Sequence, residues 1–329
     1  MRLSSFRSLC LAIGLGLFAA HAQAAVTATS LFQTLPNGTD GNCDGKPLDT
    51  MVQEAITLND KAIIAIGTLL EPKLFWNGGE EERLAKLATA IWGVQLDKPM
   101  IYFNNAFRVR QEDRERLDMA QERYEIANQK LKSGSVNGGK MTCGGEDWHY
   151  AKTMEDLGYQ GITVPVDAYV SKYFSEKNDQ GQYNIQDKSK IILTPQFRDG
   201  VSLAGKSLCA SPARAQTWAQ SHLIMMCDQC FDQPTLSSLW GQQESWPTGK
   251  HINELQTAGA EFQHEMMHYI NMGISDQIVG GKDAYGWGPC AQLAKGPEQT
   301  LIKNADNYRV FAQAVFFDRV QWDAEGRKM

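Results

Sequence analysis

Residues 264–268 constrain this chain more than any other stretch of it. They read His264-Glu265-Met266-Met267-His268. On an α-helix, positions four apart lie on one face about a turn apart. Two neutral imidazoles placed so can share one zinc ion. Glu265, at the edge of that face, is placed to take a proton from a water beside the ion. The flanks agree with a helix over 252–271. Leu255, Ala258, Phe262, Met266 and Ile270 recur at spacings of three and four, which makes an apolar stripe. Gly273 stands where a helix-terminating glycine belongs. Gly259 disfavours the helix a little.

The first 24 residues read as a secretory signal. Arg2 and Arg7 open it, Leu9 to Ala20 form a short apolar core, and Ala22-Gln23-Ala24 fits a cleavage site. That core is too short to span a membrane, so a soluble, secreted and monomeric protein is expected, with no membrane partner. Acidic residues outnumber basic ones, 38 to 32, for a net charge of −6. Scattered negative charge gives no basis for nucleic-acid binding.

Cys10 falls within the signal, leaving Cys43, Cys143, Cys209, Cys227, Cys230 and Cys290. An even set in an oxidising compartment allows up to three disulfides, and spacing does not choose among the pairings. Cys227-Asp228-Gln229-Cys230 is alternatively a redox or metal pair. Asn37-Gly38-Thr39 is a glycosylation sequon in a turn-rich stretch.

Residues 25–46 read as an irregular lead-in, and residues 47–329 as the folded domain. Periodicity predicts helices over 48–70, 80–94, 105–132 and 305–320, the last with Asn304 as N-cap. The charges from Arg108 to Lys132 read as a solvated face. Residues 133–139 are a glycine-containing break between these early helices (48–132) and the region 140–329. Short apolar runs at 162–164, 190–193 and 222–226 read as strands, and 231–250 as a polar connection. The sum is an α+β protein, mainly helical with a small sheet.

A catalytic zinc takes three protein ligands and leaves a position for water. His268 is the last histidine, so a ligand further on must be a carboxylate. The metzincin pattern fails, because Ile274 stands where its third ligand would be and Asn271 replaces its glycine. Glu298, in Gly296-Pro297-Glu298, is poorly placed for a helical ligand. Asp276, after Gly273-Ile274-Ser275, and Asp283, in Lys282-Asp283-Ala284-Tyr285-Gly286, are the two candidates; either also suits a turn. His149, His222 and His251 have no partner at ligand spacing and receive no role.

Over roughly 222–316 the chain resembles the deuterolysin-type aspzincin metalloendopeptidases, which include the fungal peptidyl-Lys enzymes. The features are His264-Glu265-x-x-His268, Gly273-Ile274-Ser275-Asp276, Tyr285-Gly286, Cys290-Ala291-Gln292-Leu293-Ala294, Asn304-Ala305-Asp306-Asn307-Tyr308 and Phe311-Ala312. The resemblance implies a zincin-like fold and one catalytic Zn2+ on His264, His268 and Asp276. It implies Glu265 as general base, Tyr285 as hydrogen-bond donor to the oxyanion, and a protein or peptide substrate. Two departures stand out: Ile274 replaces the family's threonine, and Tyr285 follows Asp276 by nine positions rather than three. Residues 277–282 must loop out if both roles hold. The competing reading is a secreted binding protein on an inactive zincin scaffold.

Overall fold

The computed structural model describes residues 26–71, 79–97, 108–136, 138–175, 177–184, 191–193, 207–209, 214–270 and 273–329. The signal reading and Cys10 lie outside them, as do 105–107, 190 and 271–272. The elements run α1 (Ala28–Leu31), β1 (Gln33–Thr34), α2 (Leu48–Leu70), α3 (Glu80–Trp92), β2 (Leu96–Asp97), β3 (Arg108–Val109), α4 (Gln111–Lys132), β4 (Lys140–Thr142), β5 (Trp148–Thr153), β6 (Pro165–Ser171), β7 (Ile191–Leu193), β8 (Ala215–Trp218) and β9 (Leu223–Met226). They continue with α5 (Asp228–Phe231), α6 (Leu236–Gln242), α7 (Ala258–Ile270), β10 (Ile278–Val279), β11 (Lys282–Asp283), α8 (Trp287–Leu293), α9 (Glu298–Leu301) and α10 (Ala305–Phe316). Helices outweigh strands, and the class is α+β.

Four helices build the main layer. Met51, Val52, Ala55, Leu58, Ala62, Ile66 and Leu69 line one side of α2 and are buried. That side packs on α4 and α7, and α10 packs on both α2 and α7. Charges cover the outside of α4, while Leu117, Ala120, Tyr124, Ala127 and Leu131 face inward at helical spacing. Every residue of α10 from Ala305 to Val315 is buried, so this helix is surrounded rather than amphipathic. Its Tyr308 ring meets Trp92 at 5.0 Å and Tyr124 at 5.1 Å, both edge to face.

Gly259 explains itself in this packing. A Cβ there would stand 2.3 Å from Glu54 Cβ, so only glycine lets α2 and α7 approach this closely.

The larger sheet has the order β1-β4-β9-β8. β1 and β9 run parallel to β4, and β8 runs antiparallel to β9, pairing Thr217 with Ile224. β9 is buried at all four positions and reads accordingly as an unbroken apolar run, Leu223-Ile224-Met225-Met226. α7 lies along β8 and β9. A second, antiparallel sheet has the order β5-β6-β7.

Several expectations need correction. The lead-in is not wholly irregular, since Thr27 caps α1 and β1 joins the main sheet. Residues 162–164 are not a strand. Ile162 N–H donates to Tyr159 O in a turn with Gly161 at φ +74°, and β6 begins only at Pro165. The polar stretch 231–250 holds α6, whose first turn is capped by Thr235 accepting from Ser238 N–H. The helix expected from 252 starts at Ala258, because Thr257 Oγ1 accepts from Ala260 N–H and caps it there. Residues 252–254 form a separate 3-10 turn capped by His251.

Two disulfides form, Cys43–Cys143 and Cys209–Cys227, which fits an oxidising compartment. Cys230 and Cys290 remain buried thiols. They belong to different hydrophobic clusters, Cys230 with Phe262 and Met266, and Cys290 with Trp287 and Tyr308, so no third bridge joins them. Because Cys227 is bonded to Cys209, it forms no redox or metal pair with Cys230. No helix among the described residues is long and apolar enough to cross a membrane.

Candidate metal centre

α7 carries His264, Glu265 and His268, held by packing against both the helix layer and the main sheet. The segment after α7 brings an acid to them. Ser275 N–H donates to Lys303 O, and Gln277 N–H donates to Asn304 Oδ1, so the residues on either side of Asp276 are tied to the start of α10. Asn304 stands at the N-cap of α10 as expected, but its side chain makes no capping bond. Instead its Nδ2 donates to Ala284 O and Asn307 Oδ1, and its Oδ1 receives Gln277, binding the loops together at a buried point.

Residues 277–283 solve the spacing problem noted above. β10 and β11 form a two-residue hairpin turning at Gly280-Gly281, both with positive φ (+59° and +82°). That is the turn such a hairpin needs. The insertion folds on itself and returns the chain to the site, where the Tyr285 hydroxyl donates to Asp276 Oδ2 at 2.8 Å.

Three donor atoms converge. His264 Nε2 lies 3.1 Å from His268 Nε2, and each lies 3.3 Å from Asp276 Oδ1. A tetrahedral zinc with ligand bonds of about 2.0 Å needs donor separations of about 3.3 Å. The other ring nitrogens each face an oxygen. His264 Nδ1 faces Asp306 Oδ1 at 3.2 Å, and His268 Nδ1 faces Ile274 O at 3.1 Å. With protons on both Nδ1 atoms, both Nε2 lone pairs meet a carboxylate oxygen. These three atoms suit one positive charge, a bound metal ion or, without it, the extra proton of His264. Among the described residues, His264, His268 and Asp276 are the group of acids, histidines and cysteines able to hold a metal ion. Asp283 and Glu298 are not part of it: Asp283 sits in β11, and Glu298 receives Arg116.

A comparison with known proteins finds no family model and no curated protein that matches this chain.

Burial opposes a charge on His264, but Asp276 and Asp306 on either side outweigh it and hold the ring well above the usual imidazole range. Burial likewise opposes a charge on Asp276, and the two imidazoles overcome it, keeping the carboxyl far below the carboxylate range. Glu265 is different. It is 5% exposed, and burial raises its pKa despite the neighbouring histidines. Thr217 of β8 donates its hydroxyl to Glu265 O at 3.2 Å, joining the outer strand of the sheet to this residue. Tyr285 has half its surface exposed, but the environment of its hydroxyl and the adjacent Asp276 push its pKa far up, so it remains a hydrogen-bond donor at any physiological pH.

Sequence reasoning did not assign a role to Asp306. α10 presents it beneath His264, where Arg309 Nε and Nη2 donate to its two oxygens at 2.5 and 2.9 Å and Gly286 N–H donates to Oδ2. Burial opposes its charge, yet Arg309 and His264 hold it ionised. The available signal was an Asp–Arg pair three apart in an otherwise uncharged helix, since buried charges are retained only when paired.

Proposed function

We propose that this protein is a secreted zinc-dependent metalloendopeptidase of the aspzincin type, hydrolysing peptide bonds in protein substrates. The observation that supports it is the meeting of His264 Nε2, His268 Nε2 and Asp276 Oδ1 at tetrahedral spacing, with Glu265 next to the first ligand on the same helix. Zinc, when bound, supplies a Lewis acid that lowers the pKa of water and polarises a carbonyl.

The remaining work falls to the chain. Glu265, with its pKa raised by burial, accepts the proton of the attacking water and returns it to the leaving amine. The raised value brings it nearer the operating pH, which suits a group that must both take and give a proton. Tyr285, held beside the site by its bond to Asp276 Oδ2, turns its single hydroxyl proton from that carboxylate to the developing oxyanion. Asp306 keeps the His264 proton on Nδ1, so that Nε2 stays free to ligate.

The test is zinc content of the purified protein measured beside casein cleavage, with and without chelator, in the wild type and in Glu265→Gln. One zinc per chain, chelator-sensitive cleavage, and a Glu265→Gln protein that keeps zinc but loses nearly all cleavage are expected. A wild type that binds zinc and leaves casein intact would favour a binding role for the scaffold. Full cleavage by Glu265→Gln would remove that residue from the mechanism.

A further inference from the structure

The Tyr285 side chain is half exposed, yet its hydroxyl rests on Asp276 Oδ2. Its ring meets the His264 imidazole at 5.7 Å between centroids, and with half of it in solvent the backbone that follows shares in holding it. Gly286, at φ +79°, donates its N–H to Asp306, and a Cβ there would stand 2.5 Å from Asn253 Nδ2. Trp287 is 1% exposed and gripped at both ends: its backbone N–H donates to Asn253 Oδ1 and its indole Nε1–H donates to Ala324 O, each at 2.9 Å.

Ala324 belongs to the C-terminal strap. This strap folds over the indole, with Gly326 so close that a Cβ on it would lie 2.5 Å from Trp287 Cγ. The strap is itself fastened to the chain leading into α7. Ile252 N–H donates to Gly326 O at 3.0 Å, and Lys328 N–H donates to Lys250 O at 2.9 Å. Lys328 Nζ ends the strap by donating to the carbonyls of Gln243, Glu244 and Trp246.

We propose that the C-terminal strap, residues 322–329, is a positioning element of the metal centre: by covering Trp287 it fixes the Tyr285 hydroxyl at Asp276. Trp287 and Gly326 are then positioning residues. Neither touches the ligand atoms; each acts through the backbone of 285–287. This rests on the role given to Tyr285 above. A displacement of about 1 Å in such a group costs up to about a hundredfold in rate.

The experiment uses the full chain labelled with 3-fluorotyrosine, with the Tyr285 resonance assigned by its loss in Tyr285→Phe. Trp287→Phe keeps an aromatic ring but loses the bond to Ala324. Gly326→Val forces a side chain into the indole at a positive φ. In chelated protein, both variants are expected to move the Tyr285 fluorine resonance from its wild-type position toward that of Asp276→Ala, where the hydroxyl has lost its partner. With zinc added, both are expected to bind one ion per chain, with kcat on casein lower by about tenfold or more and KM within about twofold. A resonance unmoved in Trp287→Phe overturns the inference, and this variant decides alone if Gly326→Val fails to fold. A wild type that cleaves nothing defeats the protease reading, while the fluorine shift still decides whether the strap positions Tyr285.

Discussion

Asp306 Oδ1 lies 3.2 Å from His264 Nδ1, joining two helices far apart in sequence through the ring that also faces Asp276. The carboxylate is fixed from behind by Arg309, which approaches Glu261 of α7 at 4.0 Å. A ligand orientation is thus set by a buried charge cluster, and the two functions of that cluster can be separated.

Asp306→Asn keeps the shape but removes the charge that favours the Nδ1 proton. Zinc affinity is expected to fall about 10- to 100-fold with the fold retained. Asp306→Ala also takes from the buried Arg309 guanidinium its closest carboxylate, leaving Glu261 at 4.0 Å and Gln313, and unfolding stability should drop by up to about 3–5 kcal/mol. Metal titration and denaturant melts separate the two effects. Unchanged zinc affinity in Asp306→Asn would leave Asp306 with a purely structural role.

Asp276→Ala removes one of three converging donors and is expected to abolish stoichiometric zinc binding. Asp283→Ala, in the hairpin, should bind zinc as the wild type does. Metal analysis after dialysis reads both. The opposite order of loss would move the ligand role to Asp283.

Gly259→Ala sets two magnitudes against each other. Alanine gains about 1 kcal/mol in helix propensity. The added Cβ meets Glu54 Cβ at 2.3 Å, and overpacking of that kind costs about 1–3 kcal/mol. Net destabilisation is expected in thermal melts. A more stable variant would mean that α2 and α7 part freely.

His149 supplies a pH dependence away from the metal. Burial, with Lys172 and Lys177 adding to it, lowers its pKa below the ordinary imidazole value, and Asp147 and Asp156 only partly offset this. The folded protein therefore binds this proton less tightly than the unfolded chain. Its contribution to stability is whole above about pH 6.5 and is lost as pH falls through the folded pKa. In chelator, the unfolding free energy of the wild type should fall between pH 7 and pH 5 more steeply than that of His149→Gln, other groups cancelling in the comparison. Parallel curves would place the ring in solvent.

Local pattern carried much of this protein. The i, i+4 histidines, the apolar stripe around them and the inward faces of α2 and α4 are short-range matters, because helix geometry alone brings such residues together. Strand limits were weaker. The run at 162–164 has apolar residues but sits in a turn, where hydrogen bonding to Tyr159 outweighs β propensity. The centre beyond the helix needed the whole chain. Asp276 is held by contacts to residues 303 and 304, Tyr285 returns through a glycine hairpin, and Asp306 arrives on the last helix. Which aspartate meets two imidazoles depends on how distant segments pack and where buried charges find partners, and neither is encoded in the spacing of neighbouring residues.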